Sequence, residues 1–242
     1  MTQLLISVKN VAEALMALDA GADIIDLKDP NIGALGALDE VLSLQIVQAI
    51  NRRATISATI GEQHATLNAL IASIEARAKL GVDIVKIATS QFFDEPEFLL
   101  EIVQLTNKGI KIVAVLFADE PIELNLLKKC QQIGCFGAML DTNDKQQNLL
   151  QVQTQSDLQT FTQKCNQYQL QSGFAGSLRP QDIANLLKFN PTFIGFRGGV
   201  CENNVRKSSL SSSKMLEVKK MLHERNKINV KAQKSRGLAL HS

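Results

Sequence analysis

Residues 19–30 read DAGADIIDLKDP and join the end of one predicted helix to a complete buried strand. Gly21 follows an amphipathic segment, at the position where helices commonly end on a glycine. The next run, residues 23–28, is nearly continuously apolar at its centre rather than alternating, which is typical of a strand buried on both faces of a parallel sheet. The stretch therefore predicts a helix, a glycine and the next strand, which is the repeating unit of an α/β protein.

The same unit recurs along the chain, since KLGVD at residues 79–83 and QIGCF at residues 132–136 repeat this order. Amphipathic segments separate eight short apolar runs, at residues 4–8, 23–28, 55–60, 84–89, 111–118, 137–142, 173–177 and 193–198. Eight alternations favour a single (β/α)8 TIM barrel over an open doubly wound sheet. No GxGxxG motif follows the first run, which also disfavours the open sheet.

The chain has 242 residues and a formal net charge of +2, but the charge is unevenly distributed. Residues 202–242 carry ten Lys or Arg against three Asp or Glu, whereas the preceding part is mildly acidic. We expect residues 1–225 to form one catalytic barrel domain and residues 226–242 to form a basic, flexible tail. A solvated terminal helix with a frayed end is the simplest interpretation of this charge, although a basic tail also suits nucleic acid or anionic lipid.

Composition disfavours several classes of protein. The chain has no Trp and one Tyr, so it lacks the aromatic surface on which single-stranded nucleic acids stack. No apolar run approaches the roughly 18 residues that span a membrane, and the N-terminus lacks the pattern of a signal peptide. The four cysteines fit no metal-binding or disulfide pattern, so we expect free thiols. These features predict a cytoplasmic protein that binds neither nucleic acid nor membrane.

Charged residues stand within or at the ends of the apolar runs. Asp26 and Lys28 are two residues apart and therefore project from the same face of the second strand. Lys86 lies within the fourth run, and the sixth run ends on Asp141, with Lys145 in the loop just after it. Burying such charges against helices would be costly. We therefore predict that they point into the barrel at its carboxyl end, where active sites of this fold lie.

Three lysines and two aspartates at one barrel mouth favour a catalytic site over isolated surface charges. Neighbouring ammonium groups lower one another's pKa, and a neutral amine attacks a carbonyl carbon to give a Schiff base. A second amine or a carboxylate can then move protons. The predicted chemistry therefore acts on an aldehyde or ketone. No cluster of His, Cys and carboxylate residues indicates a metal site.

Two glycine-containing loops suggest a phosphate site. AGSLRP at residues 175–180 and FRGGVC at residues 196–201 follow the seventh and eighth runs. Barrels often bind phosphate there through backbone N–H groups, and glycines allow a close approach. The alternative is that these are ordinary turn glycines. The predicted phosphate-binding residues are Gly176, Ser177, Arg197, Gly198 and Gly199.

The segment NIGALGA, residues 31–37, directly follows the strand of Lys28 and its short DP turn. Its position suits a loop that covers the predicted site. An ordinary surface loop is an equal alternative, because small and flexible residues are common in both kinds of loop.

Five blocks of the sequence resemble the (5-formylfuran-3-yl)methyl phosphate synthases, also called 4-(hydroxymethyl)-2-furancarboxaldehyde-phosphate synthases, of methanofuran biosynthesis. The resemblance extends over most of the chain, from about residue 4 to residue 201. Together the blocks are specific, whereas any one of them alone is weak. In chain order they are GADIIDLKDPNIGALGA, VDIVKIA, GAMLDTNDK, FAGSL and GFRGGVC.

The resemblance implies a (β/α)8 barrel that condenses two molecules of glyceraldehyde 3-phosphate into a furan aldehyde phosphate, with loss of one phosphate and water. It implies that Lys28 is the Schiff-base lysine and Lys86 the proton acceptor. Asp26, Asp141 and Lys145 correspond to supporting acid–base groups. The resemblance also implies that no metal or organic cofactor is needed and that the protein is a homo-oligomer.

Three other functions stay open on the sequence alone. The chain is compatible with another class I aldolase-like enzyme acting on a triose phosphate, which would release no inorganic phosphate. It is also compatible with a non-catalytic protein that binds phosphorylated metabolites. Finally, nucleic-acid binding through the tail would give an affinity that falls steeply with salt.

Overall fold

Eight parallel strands close into a barrel in the computed structural model, which describes residues 1–89 and 93–239. Each strand pairs with the next along the chain, and β8 pairs with β1 to complete the circle. The predicted single (β/α)8 barrel is thus confirmed, and every strand overlaps its predicted apolar run. The strands are β1 (Gln3–Val8), β2 (Ile24–Leu27), β3 (Thr55–Thr59), β4 (Ile84–Ala88), β5 (Lys111–Phe117), β6 (Gly137–Asp141), β7 (Gln171–Phe174) and β8 (Phe193–Phe196).

Helices connect the strands and surround the barrel. The first begins after Asn10, whose side chain accepts a hydrogen bond from the backbone N–H of Glu13 at 2.8 Å. It ends before Gly21, which has a φ of +81°, a conformation that favours glycine. The described helices are α1 (Val11–Asp19), α2 (Glu40–Ile50), α3 (Leu67–Lys79), α4 (Pro96–Asn107), α5 (Asn125–Gln132), α6 (Leu149–Val152), α7 (Gln155–Gln167), α8 (Ile183–Leu186) and α9 (Ser212–Ala239).

The seventh strand differs most from the sequence expectation, because it ends at Phe174 rather than at Ser177. The chain turns sharply beyond it, since Gly176 has a φ of +104° and Ser177 a φ of +49°. Neither conformation continues a strand. The segment predicted as the end of a strand is therefore a loop at the carboxyl end of the barrel.

Apolar side chains fill the inside of the barrel as well as the layer between strands and helices. Phe193 crosses the interior beside Gly173, where a Cβ atom would lie 2.2 Å from its ring. Two of the interior residues come from the loop after β2 rather than from a strand. The interior cluster consists of Leu5, Ile24, Ala34, Leu35, Ile84, Val113, Val115, Phe117, Met139 and Phe193.

The loop between β2 and α2 is anchored on the barrel. Ala34 is 2% and Leu35 0% exposed, and both pack on the interior cluster. The backbone N–H of Leu35 donates to the carboxylate of Glu62 at 2.7 Å, and the Thr59 hydroxyl donates to the Gly36 carbonyl at 2.7 Å. Residues 31–37 are therefore anchored on the barrel rather than forming an ordinary surface loop, whereas their covering of the site stays a prediction.

The last helix, α9, packs on the outside of the barrel. Met215, Val218 and Leu222 are buried, and the side chain of Asn226 exchanges two hydrogen bonds with the backbone of Thr2, at 3.0 and 3.1 Å. The helix thus continues past the expected boundary between residues 225 and 226. The flexibility of the tail stays a prediction, and residues 240–242 lie outside the described part of the chain.

Two further expectations concern the membrane and the cysteines. Within the part of the chain that the structure describes, no helix has the length and apolar character to cross a bilayer. Cys130, Cys135, Cys165 and Cys201 are buried and form no disulfide. The homo-oligomeric state stays a prediction.

Candidate active site

The carboxylate of Asp26 lies at the centre of the barrel and accepts from three side chains. Ser7 on β1 and Ser57 on β3 lie in register with Asp26 in the neighbouring strands. Each serine hydroxyl donates to Asp26 at 2.7 Å, one to each carboxylate oxygen, and Lys86 Nζ lies 2.6 Å from Oδ1. Asp26 is 0% exposed. Because a buried charge requires such partners, these contacts hold the Asp26 carboxylate in one orientation.

Lys86 projects from β4 and is 2% exposed. Burial lowers the pKa of Lys86, because the charged ammonium is less stable away from water. The adjacent Asp26 carboxylate opposes this effect, whereas the positive charge of Lys28 lowers the pKa of Lys86 further. Lys86 is therefore easier to deprotonate than an exposed lysine, and its conjugate acid has a carboxylate ready to stabilise it.

Asp141, the last residue of β6, joins the other two lysines. Its Oδ2 lies 3.3 Å from Lys28 Nζ and its Oδ1 lies 2.8 Å from Lys145 Nζ. The backbone N–H of Thr142 also donates to Oδ1, at 2.8 Å. Burial by itself would raise the pKa of Asp141, but the charges of Lys145 and Lys28 outweigh it and hold the pKa well below the usual range. Asp141 is therefore a carboxylate at neutral pH.

Lys145 reaches this pair from the loop after β6. Its Nζ donates to the Thr142 carbonyl as well as to Asp141. Burial lowers the pKa of Lys145, and the Lys28 charge adds to this, whereas Asp141 opposes both. Three lysines share two carboxylates here, so the centre has an excess of positive charge that suits an anionic substrate.

A cavity of about 160 Å³ opens at the carboxyl end of the barrel beside these groups. Lys28, Lys86, Asp141 and Lys145 line it, whereas Asp26 lies beneath it, in contact with Lys86. The predicted phosphate-binding residues line the same cavity, namely Gly176, Ser177, Arg197, Gly198 and Gly199. The structure therefore brings together all of the residues that the sequence analysis singled out.

Packing requires glycine at two of the three cavity-wall positions 176, 198 and 199, but not at the third. A Cβ at Gly176 would lie 2.9 Å from Thr142, and one at Gly199 would lie 2.2 Å from the Leu178 carbonyl oxygen, so close packing requires glycine at both. A Cβ at Gly198 would meet nothing closer than 3.6 Å. Packing therefore does not require glycine at residue 198, where an added Cβ would make ordinary van der Waals contacts.

Arg197 lines the cavity but is held by the protein itself. A guanidinium has five N–H donors, and five hydrogen bonds from Arg197 engage all three of its nitrogens. The acceptors are both carboxylate oxygens of Glu13 and the carbonyl oxygens of Ser7, Arg206 and Ser208.

Sequence reasoning missed four residues of this site. Ser7 and Ser57 bind Asp26. A signal existed for Ser7, which is the one hydroxyl residue in the run at residues 4–8, but not for Ser57, which lies between two threonines in the run at residues 55–60. Glu13 binds Arg197, and Arg206 lines the cavity. No local pattern marks these last two, because their role depends on contacts between distant parts of the chain. Among the described residues, no group of three or more His, Cys, Asp or Glu is arranged to hold a metal ion.

Fold and site together define a (β/α)8 barrel with a lysine–carboxylate centre at the carboxyl ends of its strands, the position where enzymes of this fold carry out their reactions. Residues 4–219 match the family model described as 4-HFC-P synthase. The chain belongs to this synthase family and is therefore an enzyme.

Two similar proteins carry the name (5-formylfuran-3-yl)methyl phosphate synthase, one of them provisionally. The (5-formylfuran-3-yl)methyl phosphate synthase of Methanosarcina mazei is 31% identical over 214 residues, which cover 82% of this chain and 90% of that protein. A Methylorubrum extorquens protein, to which the same name is provisionally assigned, is 36% identical over 216 residues, or 89% of each chain.

Solved structures confirm the architecture only. Phosphoribosyl anthranilate isomerase from Thermus thermophilus superposes with a TM-score of 0.67 at 11% identity, covering 92% of this chain and 99% of that one. The 3-hexulose-6-phosphate synthase from Salmonella typhimurium gives the same TM-score, identity and coverage. At this identity the likeness shows the fold and carries no information about substrate.

Proposed function

We propose that this enzyme condenses two molecules of glyceraldehyde 3-phosphate into 4-(hydroxymethyl)-2-furancarboxaldehyde phosphate, which is (5-formylfuran-3-yl)methyl phosphate, in the biosynthesis of a methanofuran-type cofactor. The names of its relatives support this product. The observation that carries the proposal is that one cavity holds two lysine–carboxylate pairs, one for a nucleophile and one for a proton acceptor. Lys28 lies at the wall with Asp141, and Lys86 lies with the buried Asp26.

Lys28 is the proposed nucleophile. Its neutral amine adds to the aldehyde carbon of one triose phosphate, and loss of water gives a protonated Schiff base. The positive nitrogen withdraws electrons from the neighbouring carbon, which makes the proton on that carbon more acidic. Asp141 at 3.3 Å stabilises the positive charge that develops on Lys28.

Lys86 is the proposed acceptor of that proton. Its lowered pKa gives it a larger neutral fraction at working pH than an exposed lysine has. Once Lys86 is protonated, Asp26 at 2.6 Å holds the ammonium in place. The resulting enamine carbon then attacks the aldehyde carbon of the second triose phosphate, and the aldehyde oxygen takes up a proton.

Lys145 and Asp141 complete the acid–base set, because both line the cavity and are in contact at 2.8 Å. We assign to them the proton transfers that accompany loss of phosphate and closure of the furan ring. Overall, two triose phosphates give one furan aldehyde phosphate, one phosphate and two waters, which balances the atoms. Hydrolysis of the Schiff base frees Lys28. This route uses no metal and no organic cofactor.

The direct test is incubation with glyceraldehyde 3-phosphate, with products identified by mass spectrometry and ultraviolet absorbance. Lys28→Ala is expected to lower furan formation roughly 1,000-fold or more, as removal of a covalent nucleophile does. Lys79→Ala, at a lysine side chain that is 77% exposed, is the matched control and should keep wild-type activity. Borohydride added during turnover should attach the substrate to Lys28 permanently.

Other products would overturn the proposal in distinct ways. An aldol product that retains both phosphates would indicate an aldolase-like enzyme. Substrate binding without turnover would indicate a non-catalytic binding protein. A reaction without enzyme is needed beside each sample, because this triose phosphate loses phosphate spontaneously.

A further inference from the structure

The proposed reaction brings two phosphate groups into one cavity, and each carries close to two negative charges at neutral pH. Cationic side chains must therefore be available to the substrate. Lys86 is paired with Asp26, Lys28 and Lys145 share Asp141, and Arg197 is paired with Glu13. Two cations of the cavity, Arg179 and Arg206, have no carboxylate partner within 4.0 Å among the described residues, and Arg179 is exposed whereas Arg206 is half-buried.

Arg197 has no hydrogen-bond donor to offer. All five of its N–H groups are used by acceptors within the protein, two of them by the buried carboxylate of Glu13. A phosphate would have to displace one of these bonds and leave a buried acceptor unsatisfied, which is costly. The Arg197 side chain therefore supports the neighbouring backbone.

Arg206, unlike Arg197, has hydrogen-bond donors that the described residues do not use. It lines the cavity and is half-buried, and within the described residues no carboxylate lies within 4.0 Å of its guanidinium. The hydrogen bond of its side chain goes from Nη2 to the Gly33 carbonyl at 2.8 Å, so other donors of the planar fork are available. Such a fork suits the oxygens of a phosphate.

The position of Arg206 is set by Arg197 and lies next to the predicted phosphate loop. Arg197 Nε donates to the Arg206 carbonyl at 2.8 Å, which fixes the backbone of residue 206. The Cβ of Arg206 lies 3.7 Å from the point that a Cβ on Gly198 would occupy. The stem of Arg206 therefore lies against Gly198.

We propose that Arg206 binds the phosphate of a substrate triose beside Gly198, and that Arg197 is a positioning residue that holds Arg206 in place. This inference deepens the proposed function and rests on it for the identity of the substrate. The Gly33 contact gives the assignment a further consequence. Gly33 belongs to the loop after β2, so the residue that binds the phosphate also anchors this loop.

The test measures inorganic phosphate binding by calorimetry and steady-state kinetics with glyceraldehyde 3-phosphate. Arg206→Ala should weaken phosphate binding roughly 10- to 100-fold, which is the value of a charge-assisted hydrogen bond, and should raise KM more than it lowers kcat. Arg206→Lys keeps the charge without the fork and should recover part of the affinity. Lys207→Ala removes a neighbouring exposed charge and should change neither quantity.

The role of Arg197 is tested by a double-mutant cycle on the same phosphate affinity. Arg197→Lys should weaken phosphate binding, and adding it to Arg206→Ala should cause no further loss if Arg197 acts through Arg206. Additive losses would overturn the positioning role. Thermal unfolding of each variant identifies any that fails to fold, and Arg206→Lys still tests the assignment in that case.

The outcomes separate this inference from the proposed function. If the wild type forms the furan but Arg206→Ala binds phosphate like the wild type, the assignment of Arg206 is overturned and the function stands. If no furan forms but phosphate affinity still depends on Arg206, the phosphate site stands and the reaction is another one. Equal loss of phosphate affinity in Lys207→Ala would mean that only net charge matters, which also overturns the assignment.

Discussion

Asp26 and Asp141 place the three lysines of the site in two different environments. Lys86 pairs with Asp26, which two serine hydroxyls also bind, whereas Lys28 and Lys145 pair with Asp141. All three lysines line the cavity, but the Lys86 side chain is 3% exposed against 8% for Lys28 and 20% for Lys145, so water has the least access to Lys86. The two environments therefore fit the two roles that the proposed reaction assigns to lysine.

The pKa of Lys86 predicts a pH dependence of kcat. Because burial lowers this pKa below the ordinary 10.5, the neutral fraction of Lys86 grows as pH rises through the lowered value. Where proton abstraction limits the rate, kcat should rise with pH through that range. Asp26→Asn removes the negative charge that raises the pKa of Lys86, so its profile should move to lower pH.

The pH profiles of wild type and Asp26→Asn, with a substrate deuterium isotope effect to show that proton abstraction limits the rate, check this prediction. A profile that stays in place or moves to higher pH in Asp26→Asn would contradict the role of Lys86. Glu75→Gln is a suitable charge-matched control, because this carboxylate on α3 forms ion pairs with the exposed Lys79 and Lys108.

The loop after β2 packs on the inside of the barrel and contacts Arg206 of the cavity wall. Its residues Ala34 and Leu35 pack inside the barrel, and its carbonyl groups bind Thr59 and Arg206. Most of these contacts are made by its own backbone, so its shape depends on the conformation of a few residues. A change of that shape should alter catalysis before it alters the rest of the fold.

Gly36→Ala tests the contribution of this loop. A Cβ at residue 36 would lie 2.1 Å from the Ile32 carbonyl oxygen and 2.4 Å from that of Asp29, and backbone atoms cannot move aside cheaply. We expect kcat/KM to fall by at least about tenfold, since displacement of positioning groups has effects of this size or larger. Steady-state kinetics on the purified variant measures the loss.

Gly109→Ala is the matched control for the loop variant. Gly109 has a φ of +88° and no atom within 4 Å of the added Cβ, so the substitution strains the backbone far from the site. It should cost about 1–2 kcal/mol in the free energy of unfolding and leave kcat/KM unchanged. Equal activity of Gly36→Ala and wild type would show that the loop tolerates movement and does not shape the site.

The whole molecule is completed by α9, whose first half seals the outside of the barrel. Met215, Val218 and Leu222 are buried, and Lys219 Nζ lies 2.9 Å from the Asp23 carboxylate just before β2. Burial of side chains of this size contributes roughly 1.5–3 kcal/mol each. The first half of α9 is therefore part of the barrel domain, and basic residues occur along both halves of the helix.

Truncation separates these two parts of the helix. We propose that residues after 226 are a tail independent of the barrel, so a chain ending at Asn226 should keep wild-type activity and a Tm within a few degrees. A chain ending at Ser211 loses the three buried side chains and should fail to fold or melt far lower. Thermal unfolding and the furan assay measure both. Loss of activity in the longer chain would show that the tail belongs to the enzyme.

Local signals were enough to predict the eight strands and the five charged residues of the centre. Both the strand pattern and the charge pattern depend on residues that are only a few positions apart in the sequence. Apolar runs identify strands buried on both faces, and the two-residue period of a strand places Asp26 and Lys28 on one side. Since every parallel strand of a barrel ends at the same rim, charges at several strand ends had to meet there.

The remaining features depend on the closed barrel, because they join residues that are far apart in the chain. Arg197 and Glu13 are 184 residues apart, and Arg206 and Gly33 are 173 apart, so no local pattern marks either pair. Only closure of β8 on β1 brings the strand of Arg197 beside the start of the chain. The amino-acid order thus determined the barrel and its lysine–carboxylate centre, whereas the folded chain determined that Arg197 of the cavity wall is held by Glu13 and that Arg206 is not held by a carboxylate among the described residues.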